Sequence, residues 1–361
     1  MRFQGKRLTV SVFGQSHAAA IGAVIDGLPA GVRIDREALQ AFLDRRAPGQ
    51  GAYATARKEA DAPEFLSGLV EDRTCGTPVC AVIRNGDTRS GDYEAFRRIP
   101  RPSHSDWPAT VKYGDSHDLR GGGAFSGRLT APLCVAGGIA LQMLAERGVR
   151  VGAHIASVGD VSDAAFDPVN VSAADFDRIR ENGFPTLCPE AGQEMLREIE
   201  EARQEADSIG GTVECAAIGL PAGLGGPLFE GLESALAGAL FAIPAVRGVE
   251  FGRGFAATGM RGSEHNDAYV LREGRIRTET NHAGGIVGGI STGMPVLIRI
   301  AFKPTPSIGK PQRTLNLETG EETELIIRGR HDPCVVPRAV PVAEAVTALT
   351  LLDELLSGAG T

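Results

Sequence analysis

The chain has 361 residues, 42% hydrophobic and 23% charged, the proportions of an ordinary globular protein with material for a large core in one or two domains. Its net charge is −8, with one Trp and no long basic run, which argues against a nucleic-acid or membrane-surface partner and assigns its arginines to local sites. Glycine is abundant, at 47 residues, so many tight turns and close backbone approaches are expected.

Residues 8–13 are rich in β-branched and aromatic types and predict a strand running into a turn at Gly14, Gln15, Ser16 and His17. That apolar run is too short for a secretory leader. Residues 20–26 read as a second short strand. Asp35 reads as the N-cap of a helix through Leu39, Phe42 and Leu43 that ends at Arg45 and Arg46, before Pro48. Residues 49–61 show no period and read as a loop, and residues 64–84 hold short strands. Residues 85–123 form a long polar stretch without apolar period. A loop of that length inside a compact chain is usually functional, and its arginines and histidines favour function.

Residues 130–146 predict an Ala/Gly-rich helix that is apolar on nearly all faces and therefore buried. The uncharged stretch 129–145 contains Pro132, Gly137, Gly138 and Gln142. It is shorter than the roughly 20 residues of a membrane span, so a buried helix is the better reading. Residues 190–208 form a polar helix stopped by Gly210 and Gly211, and residues 231–243 another helix. Residues 296–302 read as a strand, and residues 341–356 as an amphipathic helix with proline in its first turn. No linker or composition break divides the chain. Strands and helices mix without regular alternation, which predicts α+β architecture.

The six cysteines (Cys75, Cys80, Cys134, Cys188, Cys215, Cys334) form no CxxC pair. They read as reduced thiols of a cytoplasmic protein, with no metal site and no disulfide framework.

Six of the seven histidines lie in short Gly/Ser/Pro-rich segments: FGQSH (His17), RPSHSD (His104), GDSHDLRGGG (His117), MRGSEHND (His265), NHAGG (His282) and GRHDPC (His331). Imidazole titrates near neutrality and guanidinium keeps its charge, so these loops suggest anion binding with proton transfer. Arg101, His104 and Asp106 combine a fixed cation, a titratable base and a carboxylate around a proline turn, and Arg330, His331 and Asp332 repeat the trio. The run RGGGAFSGR at 120–128 leads into the buried helix, where backbone N–H groups favour anions. It lacks the GK[ST] ending of a P-loop and the strand–GxGxxG–helix context of a dinucleotide fold. The GQSH turn resembles the start of a nucleophile elbow, but its fifth residue is Ala18 and one strand alone precedes it. Arg45 and Arg46 could equally complement a helix dipole. The glycine platform NHAGGIVGGISTG (281–293) suits a flat ligand or a tight loop, and KPTPSI (303–308) a cation-bearing turn.

With these segments in this order, the chain resembles the chorismate synthase family over nearly its whole length. NHAGGIVGGISTG, KPTPSI and GRHDPCVVPRAVPVAEA are the most specific matches. The resemblance implies one domain over 1–361, a β-α-β sandwich with helices packed between antiparallel sheets, and a homotetramer. It implies a lyase that converts 5-enolpyruvylshikimate 3-phosphate to chorismate and phosphate by 1,4-anti elimination. The reaction needs reduced FMN without net redox change and is the last common step toward the aromatic amino acids. A substrate with a phosphate and two carboxylates accounts for arginines in an acidic protein.

By the same resemblance His17 acts on reduced flavin, and His104 assists the leaving phosphate. Asp332 lies near flavin N5 in the proton relay from substrate C6, with Ser16 in support. Arg45, Arg46, Arg101, Ser126, Arg128 and Arg330 fall at anion-binding positions. Ala124, Phe125, Ser126, Ala245, Gly288, Lys303, Pro304, Thr305, Pro306, Ser307 and Arg330 fall in flavin-contacting segments. The chain departs from the family in several places: GQSHA stands for GESHG, RPSHSD for RPGHAD, and Ala124 and Phe125 for an arginine and a serine. Arg45 and Arg46 remain of three arginines, and Pro244 replaces the asparagine before Ala245. Two rivals are a non-catalytic flavin or phosphoanion-binding protein of the same fold and an NADPH-dependent flavin reductase.

Overall fold

The β-branched run near the start becomes the strand Thr9–Gly14, paired on one side with Arg2–Gln4 and on the other with Ala20–Asp26. Val79–Arg84 and then Glu64–Ser67 complete a five-stranded antiparallel sheet. The computed structural model describes residues 1–49, 59–86, 94–327 and 332–358. A second five-stranded antiparallel sheet follows the order Val246–Phe251, Val296–Phe302, Gly211–Ile218, Arg150–Val158, Val161–Ser162. Its register sets Val213 opposite Ile300 and Cys215 opposite Ile298.

The α-helices among the described residues are α1 (Arg36–Arg46), α2 (Asp106–Tyr113), α3 (Thr130–Ala145), α4 (Ala173–Glu181), α5 (Pro189–Gln204), α6 (Leu232–Leu240), the one-turn α7 (Gly262–His265) and α8 (Val336–Gly358). The Asp35 side chain accepts from the Ala38 amide at 2.9 Å, capping α1 as its sequence predicts. α3 packs on the first sheet, α8 on the second, and the two helices pack on each other. The α+β sandwich, with helices between antiparallel sheets, is therefore the architecture observed. The largest cluster of buried apolar residues runs from Leu8 and Val10 through α3 and α8 to Ile298 and Ile300. The stretch Arg120–Ala145 is long and apolar enough to cross a membrane, but 78% of its most apolar window is buried inside this core.

Two expectations need correction. The last helix is not an amphipathic segment beginning at Pro341. It starts at Val336, is buried on nearly all sides, and carries Pro341 in its interior while Pro337 occupies the first turn. The stretch 85–123 is not wholly a loop, because α2 begins just after His104. It is short, and it exposes Trp107, Val111 and Tyr113, so no buried apolar stripe marks it.

The topology draws several of the Gly-, His- and Arg-bearing loops to one place. The segment leading into α2, the glycine run before α3, the turn after Val296–Phe302 and the start of α8 converge there, and the turn after Thr9–Gly14 packs against the glycine run.

Candidate active site

A cavity of about 430 Å³ opens where these segments meet, within the usual size of small-molecule sites. Part of its lining is apolar: Ile243, Pro244, Ala245, Phe302, Val335, Ala339 and Val342. The rest includes Arg46, Arg101, Arg128, Lys303 and Arg338 with His104, Ser126, Thr305, Ser307, Glu59 and Asp332.

His104 sits one residue before the N-cap of α2. Its Nδ1 lies 2.6 Å from Asp106 Oδ1. The Arg101 guanidinium grips the same carboxylate through Nε and Nη2, each at 2.7 Å, and donates from Nη1 to Ser307 Oγ at 3.2 Å. It also stacks 4.5 Å over the Phe96 ring. Burial depresses the His104 pKa below the usual imidazole value, Asp106 opposes this, and the charges of Arg101 and Lys303 reinforce it. Burial works against ionising Asp106, but hydrogen bonds from Arg101 and His104 prevail and hold its carboxyl well below the normal range.

Asp61 joins two buried arginines of the cavity lining, Arg46 and Arg128. Arg46 donates to it through Nε at 2.7 Å and through Nη2, and Arg128 donates through Nη1. Arg128 Nε also lies 2.8 Å from Glu59 Oε2 and 3.1 Å from Asn85 Oδ1. Burial disfavours the Asp61 carboxylate, yet the two guanidiniums lower its pKa overall. Arg128 Nη2 is buried and has no hydrogen-bond partner among the described residues. A buried charged donor left open costs several kcal/mol, about 1–3 or more, unless an acceptor arrives.

Residues 121–123 cross between the two histidines with φ of 59°, 84° and 53°, a left-handed run that only glycine adopts freely. A methyl at Gly121 would overlap the His17 ring and the Ser16 hydroxyl, while one at Gly122 would stand 3.5 Å from His104 Nε2. The Ser16 amide is tied to the Gly123 carbonyl at 3.2 Å. His17 and Ser16 therefore back onto the turn whose Gly121 lines the cavity, without being lining side chains themselves.

Lys303 donates to the Ser103 carbonyl at 2.6 Å, and Thr305 Oγ1 donates to the Asp332 carbonyl at 2.6 Å. Ser103 holds a φ of 57°. Arg338 Nη1 binds Asp332 Oδ2 at 2.7 Å, and its Nε donates to the Arg46 carbonyl at 3.1 Å.

The structure thus brings His104, Asp332, Arg46, Arg101, Ser126, Arg128, Phe125, Ala245, Lys303, Thr305, Pro306 and Ser307 to one cavity. Ala124 is exposed beside it, and neither it nor Pro304 lines the wall. Arg45 points elsewhere, into a bidentate pair with the buried Glu344 at 2.6 and 2.9 Å. Gly288 lies in a turn between Ile286–Val287 and Ile290–Ser291, away from the cavity. Arg330 lies outside the described residues. Sequence reasoning missed Asp61, Glu59 and Arg338 and gave Asp106 no role of its own. Arg338 and Asp106 lie within the quoted motifs PRAVP and RPSHSD, so the signal was present. Among the described residues no group of three or more His, Cys, Asp or Glu could hold a metal ion.

The sequence pattern described as "Chorismate synthase" matches residues 8–356. The chorismate synthase of Thermococcus gammatolerans is 49% identical, over 98% of this chain and 97% of that protein. That of Methanocella arvoryzae is 48% identical, over 98% of this chain and 94% of that protein. A crystal structure titled as chorismate synthase superposes with a TM-score of 0.77 at 27% identity, covering 99% of this chain and 94% of that one. On this match, running through both sheets and every cavity-lining segment, the chain belongs to the chorismate synthase family.

Proposed function

We propose that the cavity carries out the family's reaction with the residues gathered in it. The enzyme is a lyase that converts 5-enolpyruvylshikimate 3-phosphate to chorismate and phosphate, and it uses a reduced flavin. The observation that carries the site assignment is the open, buried Nη2 of Arg128 beside Arg46, Arg101, Lys303 and Arg338. Arg46, Arg101, Arg128 and Arg338 each already hold a carboxylate. Their remaining donors are fixed in direction before the substrate arrives, which suits oriented binding of a phosphate and two carboxylates.

His104 is the acid for the departing phosphate. Before substrate binds, burial keeps it neutral near pH 7. A phosphate dianion beside Nε2 raises its pKa, so the imidazole takes up a proton as the substrate docks and gives it to the ester oxygen as the C–O bond breaks. Asp332, held by Arg338, accepts the proton lost from C6. Ser16 and His17 support the turn from behind. We identify the cofactor as FMN. The apolar lining residues, Ala245 and Phe302 among them, suit its flat ring system, and Lys303, Thr305 and Ser307 suit its polar tail. When bound, reduced flavin supplies an electron-rich partner for the allylic system that loses phosphate.

The decisive experiment is anaerobic turnover with reduced FMN. Release of phosphate and chorismate in equal amounts without flavin oxidation is expected, and His104→Ala is expected to lower kcat by about 10²–10⁴. Flavin binding without phosphate release would support the binding-protein rival. NADPH oxidation with FMN but no substrate would favour the reductase.

We also propose a cytoplasmic homotetramer whose chain acts as one catalytic domain. The continuous apolar cluster spanning both sheets supports the single domain. Cys134 and Cys334, buried with their thiols pushed up to about 12, suit a chain that keeps its cysteines reduced. The hairpin Tyr269–Arg272/Arg275–Thr278 pairs Leu271 with Ile276, and both are more than 70% exposed, as an intersubunit surface requires.

A further inference from the structure

We propose that Asp106 is a positioning residue for the elimination: its carboxylate holds the His104 imidazole with the proton on Nδ1, leaving Nε2 as the nitrogen that exchanges protons in the cavity, and anchors Arg101 with the same two oxygens. This rests on the reading of His104 as the acid.

The geometry has one consistent protonation pattern. Asp106 is the first residue of α2 and is buried. Its Oδ2 accepts the Arg101 backbone amide at 3.1 Å and Nε at 2.7 Å, and Oδ1 accepts Nη2 at 2.7 Å. A carboxylate so surrounded by donors stays ionised, and an ionised carboxylate can only accept. The 2.6 Å contact from His104 Nδ1 to Oδ1 is therefore an N–H donated by the imidazole. Arg101 Nη2 also lies 3.1 Å from Nδ1, but a ring nitrogen that donates to a carboxylate has no lone pair to accept. That contact is a neighbouring charge, not a second hydrogen bond. Nε2 has no hydrogen-bond partner among the described residues and faces Gly122. The charged groups facing the ring are Arg101 and Asp106 from its own segment and Lys303 from the turn after Val296–Phe302. Both cations oppose a second proton on the ring, and Asp106 is the carboxylate that favours it. Removing that carboxylate leaves Arg101 and Lys303 unopposed, so the acid would deprotonate at lower pH and its tautomer would no longer be set.

Two measurements test this on the whole protein. The first is NMR of histidine-labelled protein, with His104→Ala to assign the signal. Wild type is expected to show neutral His104 protonated at Nδ1. A ring protonated at Nε2 would overturn the proposal, and this readout needs no variant of Asp106. The second is the pH profile of kcat and KM for wild type, Asp106→Asn and Asp106→Glu. The asparagine variant is expected to move the alkaline limb of kcat down by about one pH unit. It should lower kcat about tenfold to a hundredfold near pH 7.5, with KM changed less because the amide oxygen still accepts from Arg101. The glutamate variant is expected to return the limb toward its wild-type position. A uniform loss across pH, or an unmoved limb in a folded Asp106→Asn protein, would overturn the proposal. If His104→Ala retains the alkaline limb, the acid assignment fails instead, and the tautomer measurement still decides whether Asp106 holds the ring.

Discussion

His154 is the one histidine outside the loop segments, and it is fully buried in the strand Arg150–Val158. Its Nδ1 lies 3.0 Å from Asp163 Oδ2 and its Nε2 2.9 Å from Glu214 Oε2, with Phe166 edge-on at 4.6 Å. Burial would lower its pKa, but the two carboxylates prevail and raise it. A raised folded-state pKa gives stability that is complete below the unfolded value, about 6.5, and is lost as pH rises through the folded one. His154→Gln is therefore expected to cost about 3–5 kcal/mol at pH 6. The gap from wild type should narrow toward pH 9 in denaturant titrations, and a gap that widened would contradict the assignment. The residue scale also shows how far the sequence could be read. Loop histidines and arginines announced an anion site because turn composition is local information. That Arg46 and Arg128 share Asp61, and that Arg45 belongs to Glu344, was not legible, because those partners lie 15, 67 and 299 residues away.

α3 and α8 cross at glycine-sized distance. A methyl on Gly137 would overlap the backbone and side chain of Ala345. Gly137→Ala is expected to destabilise the protein by about 1–3 kcal/mol, read as a lower denaturation midpoint with unchanged slope. A neutral or stabilising result would mean the helices can part without loss. α3 was legible as an apolar run because burial on all sides leaves no polar stripe, whereas α8, buried just as fully, was read as amphipathic and begun five residues late. Of the inner strands of the second sheet, Val296–Phe302 was legible, but Gly211–Ile218 and Arg150–Val158 were not. Gly211–Ile218 reads GTVECAAI, with a buried Glu214 and small residues in place of alternating large apolar ones. A strand covered on both faces loses the two-residue period that identifies strands. α2 stayed hidden for the reverse reason: its apolar side chains face outward.

At the scale of the molecule, several large apolar side chains stand exposed. Tyr269, Leu271 and Ile276 stand on one hairpin, and Phe229 is 97% exposed. If these surfaces join subunits, light scattering should give about four times the 37.8 kDa chain mass, and Leu271→Asp should shift the protein to smaller species. A wild-type monomer would sink the tetramer. Asp353, near the end of α8, accepts the backbone amides of Lys6, Arg7 and Leu8 at 2.7, 2.8 and 2.6 Å. Glu344, on the same helix, accepts the Ala153 amide of the second sheet at 3.0 Å. Both sheets thus emerge from the ribosome before the helix that satisfies their polar groups and covers their inner faces. During synthesis the nascent chain carries two apolar sheet faces awaiting a late arrival, the state in which an elongating protein most depends on a holding chaperone.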